Sequence, residues 1–171
     1  MKILAAAPIV LLLAACPYSS PWTLGDPEKA PLDNALIGSW NARDPDSNKL
    51  VTITFLPYNA HELVVFSRDA ESASGKVEAY RAFVTVIDGV SFLNMQELGE
   101  QPARDWSYAS YHIDGTALSL RFVDDGLFGS RTFDSSGALR EFIRKNLLSP
   151  GLYVNENGKD TPMKLTRADK R

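Results

Sequence analysis

The residues of this chain that could do chemistry are few, and most of them miss the spacing their chemistry requires. His61-Glu62 begins a pair of the kind that holds zinc on a helix, but the second histidine is due one turn on and position 65 is Val. Asp44, Asp46 and Asn48 have the alternation of a calcium loop, yet Lys49 replaces the turn Gly and Phe55 replaces the closing Glu. That segment reads as a polar hairpin turn. No Gly-x-Ser-x-Gly elbow, Ser-x-x-Lys pair or phosphate-cradling glycine loop appears. The expectation is therefore a non-enzyme, with no metal and no cofactor. Trp106, Tyr108 and His112 alternate along one segment. An amphipathic wall with polar tips suits a pocket for an apolar small molecule, which makes these three the expected ligand-binding residues. Arg121, between Leu120 and Phe122, faces solvent by the same alternation.

The lone thiol is more specific. Cys16 follows Met1-Lys2, an apolar run over residues 3–13, and Ala14-Ala15. This is the charged start, apolar middle and small-residue end of a signal peptide occupying residues 1–15. The run is about half the roughly 20 residues a spanning helix needs, and Pro8 interrupts it. Leu13-Ala14-Ala15-Cys16 resembles the lipobox of bacterial lipoproteins. The resemblance implies cleavage before Cys16, diacylglycerol on its thiol, an acyl group on the freed amine, and attachment to a membrane through that lipid. Several chains anchor durably where one binds marginally, because each buried methylene contributes about 0.8 kcal/mol. In that family an aspartate after the cysteine retains the protein at the inner membrane; here Pro17 follows. The resemblance then implies a cell-envelope protein on the outer membrane, facing the periplasm, if the host is diderm.

The elements that position these residues come from pattern. Residues 16–35 carry Pro17, Pro21, Pro27 and Pro31, which predicts the lipidated cysteine followed by an extended tether reaching roughly 50 Å. Residues 36–171 are expected to form one domain: over the whole chain, 44% hydrophobic and 23% charged residues describe a globular protein, and a net charge of −3 lacks the basic footprint of a nucleic-acid partner. Val51, Ile53 and Phe55 alternate with Thr52 and Thr54. Similar runs over 36–42, 62–67, 77–87, 90–98, 106–113, 116–123 and 162–167 bring the candidate strands to about eight. Asp88-Gly89, Asp114-Gly115 and Asn157-Gly158 suit two-residue hairpin turns. One helix interrupts the pattern over 136–147, with Leu139, Phe142, Ile143 and Leu147 on one face behind Ser135-Ser136. The fold class is mainly β, an antiparallel up-and-down meander.

Gly38-Ser39-Trp40 at the first strand, the meander, the late helix and a last short strand resemble a lipocalin-like (calycin) barrel. The resemblance implies closure at about eight strands, Trp40 plugging one end, and Arg167 packing across it. It also asks for an eighth strand before the helix, for which residues 127–133 are the available stretch. Two function classes follow: binding of a small apolar molecule or lipid, and a non-catalytic module that binds another envelope protein through its loops or outer surface. Replacing Cys16 by Ser should leave the protein unprocessed or unanchored. Mass spectrometry of the native protein checks this, and a mature chain without acyl mass would falsify the lipoprotein reading.

Overall fold

A computed structural model describes residues 17–43, 49–69, 77–99, 105–153, 155–156, 159–160 and 162–168. Residues 1–15, Cys16, the polar turn expected at residues 44–48 and Asn157-Gly158 lie outside the described residues. The period-two segments form β2 (Gly38–Arg43), β3 (Leu50–Pro57), β4 (Glu62–Asp69), β5 (Val77–Ile87), β6 (Val90–Leu98), β7 (Trp106–Asp114) and β8 (Ala117–Phe122). A short strand, β1 (Ser19–Ser20), precedes them. Helix α1 (Ser136–Lys145), the small hairpin β9 (Asn155–Glu156) and β10 (Lys159–Asp160), and β11 (Met163–Arg167) follow. Each strand from β2 to β8 pairs antiparallel with the next, and β11 pairs with both β8 and β2. The result is a closed eight-stranded antiparallel barrel with β1 as an extra strand on β7.

Two hairpin turns form where the chemistry allows them. Asp88 and Gly89 take φ of 47° and 82°, and Gly115 takes 58°, the left-handed values that Gly accepts without cost and Asp tolerates. The helix is capped as expected, by the Ser135 hydroxyl accepting from Ala138 N–H at 3.3 Å, but stops at Lys145 rather than Leu147. Residues 127–133 do not supply the eighth strand. They contain turns, Gly129 has φ of 53°, and the barrel closes through β11 beyond the helix.

The sheet carries two cores, one on each side. Inside the barrel, Trp40, Val51, Ile53, Phe55, Leu63, Val65, Ala82, Val84, Leu93, Tyr111, Leu118, Leu120 and Leu165 pack as one cluster. Outside, α1 lays Leu139 and Ile143 over Phe83, Ile87, Phe92, Tyr108 and Val123, with Phe128, Leu152 and Tyr153 beside them. Strands β5, β6 and β7 are thus buried on both faces at Phe83, Ile87, Phe92, Asn94, Trp106 and Tyr108, while β2, β3, β4 and the ends of β5 and β6 near Val77 and Leu98 keep the outer face open.

The N-terminal segment belongs to this outer core, which corrects the expectation of a free tether. Tyr18 N–H donates to Val123 O at 2.9 Å, and the Tyr18 ring stacks on Phe128 at 3.7 Å. Leu24 is fully buried, and its N–H donates to Asn94 Oδ1 at 2.7 Å. Proline fixes φ and removes a donor but does not prevent an extended chain from packing when its apolar residues find a groove. A chain beginning at Leu36 should therefore lose stability against one beginning at Pro17. The loss of Leu24 burial and the orphaning of Asn94 together cost roughly 3–6 kcal/mol. Urea titration of the two chains checks this, and equal midpoints would show the segment to be dispensable.

Candidate functional site

One barrel end is closed by side chains that the sequence singled out. Trp40 is fully buried, and its indole N–H donates to Leu36 O at 2.8 Å. The Arg167 guanidinium lies 4.2 Å from the Trp40 ring centroid and donates to Ile37 O at 3.0 Å and Ala35 O at 2.6 Å. The expected cation–π contact is present, and three bonds tie the tryptophan, the arginine and the incoming chain together. Tyr111 adds a fourth tie, its hydroxyl donating to Asp33 Oδ2 at 2.7 Å. This end is a plug.

Trp106, Tyr108 and His112 lie together on β7 but do not line the interior. They face outward, because Ala109 and Tyr111 occupy the inner parity of the strand. Trp106 packs edge-on to Phe83 with Arg81 over its ring, and the Tyr108 hydroxyl donates to Trp22 O. His112 is exposed. Alternation sorts side chains into two faces without saying which face is inside, and here both faces of β7 are apolar because both are covered. The outer core needed a buried polar staple that sequence reasoning missed. Asn94, fully buried, accepts from Leu24 N–H and donates to Thr85 Oγ1 at 3.0 Å and Phe83 O at 3.4 Å. Its signal was a lone amide inside the otherwise apolar Phe92-Leu93-Asn94-Met95.

The His61-Glu62 pair is spent on structure. The imidazole Nδ1 donates to Ala30 O at 2.9 Å, while Glu62 is buried and takes Arg81 at 2.6 Å and the Asn59 amide at 2.9 Å. A buried carboxylate with both oxygens engaged is a satisfied ion pair.

The uncovered outer wall over β3 to β6 presents the most distinctive surface. Register places Leu56 opposite Val64, Phe66 opposite Ala79, and Ala79 opposite Leu98, all on the outer parity. Leu56, Val77 and Leu98 are 45%, 50% and 46% exposed, too much for residues packed under a neighbour. A shallow concavity of about 440 Å³ among Thr52, Thr54, Phe66, Arg68 and Val77 opens on this wall. A polar edge flanks it, where Ser39 and Thr54 share a hydrogen bond of 2.9 Å and Thr52 donates to Asn41 at 2.9 Å. Contiguous exposed apolar residues with a polar rim are the anatomy of a contact surface. Neither this concavity nor a second, of about 420 Å³ between residues 23–27 and the start of α1, enters the barrel interior.

Comparison with known protein families, with curated proteins and with solved structures gave no match.

Two buried phenols, Tyr108 and Tyr111, and the half-buried Tyr80 provide a test of the two cores. Burial pushes Tyr80, Tyr108 and Tyr111 well above the ordinary tyrosine value, with nearby Glu78 adding to Tyr80 and the Asp33 bond adding to Tyr111. A phenol raised in the folded state ionises more readily unfolded, so its stabilising effect is intact below about pH 10 and is lost as pH rises beyond it. Absorbance titration should show these three tyrosines ionising together with unfolding in strong alkali. Smooth ionisation of all tyrosines near pH 10, with the fold intact, would contradict their burial.

Proposed function

We propose that this chain is a non-catalytic, lipid-anchored module of the bacterial envelope whose lipocalin-like barrel binds another envelope protein through its outer wall. The anchor is acylated Cys16, by resemblance to the lipobox, and Pro17 favours the outer membrane of a diderm host. The observation that carries the reading is the apolar wall of Leu56, Val64, Phe66, Val77, Ala79 and Leu98, beside a barrel interior packed with side chains. Eight strands enclose a space that side chains just fill or share with one small ligand. In this chain Trp40, Phe55, Leu63, Leu93 and Leu118 occupy it with at most 1% exposure. Arg68, exposed at the edge of the wall, gives a partner with an acidic rim a complementary charge.

A second reading, binding of a small apolar molecule, is favoured by one feature. Tyr80, Met95, Phe122 and Met163 are only partly buried at the barrel end remote from Trp40, the place where an apolar chain would enter. Two measurements separate the readings. A photo-crosslinking residue at position 66 or 77 should capture one protein in intact cells, and Phe66→Asp or Val77→Asp should weaken that association about tenfold or more while leaving the fold intact. Organic extraction of the protein purified from its host should yield no stoichiometric lipid. A homogeneous extracted lipid, with wall variants that bind as well as the parent, would transfer the function to the interior.

A further inference from the structure

The lipid at Cys16 fixes more than a location. We infer that the barrel rests directly on the bilayer, on the surface built by Pro17, the turn at residues 124–127 and the segment 146–152 after α1, with Leu148 entering the lipid interface. This rests on the reading of Cys16 as the acylated residue. Cys16 immediately precedes Pro17, and consecutive Cα atoms are about 3.8 Å apart, so there is no slack between the lipid-bearing residue and the first residue held by the barrel. Pro17 bridges Asp124, Tyr18 is bonded to Val123 and stacked on Phe128, and Ser19 and Ser20 pair with Ser107 and Trp106 of β7. A lipid attached at that point holds the adjoining protein surface at headgroup level.

That surface is continuous through hydrogen bonds. Asp124 N–H donates to Leu152 O at 2.9 Å, Leu152 N–H donates to Ser149 O at 3.0 Å, and a Cβ on Gly151 would lie 3.8 Å from Leu127 Cδ1. Leu148, next to Ser149, is 98% exposed, far more than any other large apolar residue among those described. A single exposed leucine is ordinary on a free surface. Beside a lipid anchor it has a natural solvent in the acyl boundary, where amphipathic surfaces insert. Asp124 and Asp125 on the same surface oppose a strongly anionic bilayer, so the occupant is a zwitterionic phospholipid surface. The opposite barrel end, with Trp40 and the turn at Tyr58, then faces away from the membrane.

The test uses the chain from Cys16 onward, coupled through its thiol to a maleimide carrying one acyl chain and mixed with dioleoylphosphatidylcholine vesicles. One chain binds only marginally, with a constant of about 10⁴ M⁻¹, so any protein contribution is readable. Leu148→Asp should lower partitioning about tenfold, and Tyr58→Asp should leave it unchanged. On vesicles, amide exchange should slow at residues 124–127 and 146–151 and stay the same at 58–61 and 114–116. Unchanged partitioning of Leu148→Asp, or equal exchange at both ends, overturns the inference. Because the anchor is attached chemically, this outcome is independent of acylation in the cell, which the acyl mass of the native protein decides separately.

Discussion

The whole structure depends on one five-residue strand reaching its place. β11 fills the gap between β8 and β2, with Leu165 opposite Leu118 and Arg167 opposite Trp40. Without it the sheet would end in two long open edges and a hydrophobic face exposed along its seam. Its backbone is fastened beyond the ladder, since Arg167 N–H donates to Thr116 O and Ala168 N–H to Ser39 O, both at 2.8 Å. The guanidinium then covers the Trp40 ring and bonds the carbonyls of the chain entering β2. Arg167 thereby joins β2, β11 and the barrel plug, which makes closure a long-range event that no local preference can secure.

Closure also decides where function can lie. A barrel of eight strands leaves little room, and the inner parity of β2 to β8 fills it with Trp, Phe, Leu and Val side chains. Around Phe83, Phe92 and Tyr108 the outer parity of β5 to β7 is covered in turn by α1 and by residues 17–30, with Asn94 holding the latter in place. Polar groups that might have served chemistry are consumed in these joints: Glu62 by Arg81, Tyr111 by Asp33, Tyr108 by the Trp22 carbonyl. Among the described residues, the outer wall formed by Leu56, Val64, Phe66, Val77, Ala79 and Leu98 is left without such a cover.

Much of this architecture was legible in the residues. Val51, Ile53 and Phe55 point inward as their alternation implies, the Asp-Gly turns sit where the strands reverse, and Arg167 meets Trp40. The failures share one cause: local pattern carries no information about what covers a face. Trp106 and Tyr108 alternate as well as any inner pair, yet a second core outside the barrel buries them. The proline-rich start reads as extended, but it turns through a 3-10 helix over Pro27–Lys29, and Leu24 and Ala30 dock into the outer core; two isolated apolar residues show no period to detect. The lipocalin resemblance asks for an eighth strand before the helix, over residues 127–133. Here β8 instead meets a strand some forty residues later, after α1 and the β9–β10 hairpin.

Native-state hydrogen exchange on β11 tests this dependence most directly. If closure is integral to the fold, the amides of Arg167 and Ala168 exchange only through global unfolding, with the same opening free energy as amides in β5 and β6. Removing the guanidinium by Arg167→Met should then lower protection in all strands together. Rapid exchange of the β11 amides through local opening, with β2 to β8 still fully protected, would contradict it.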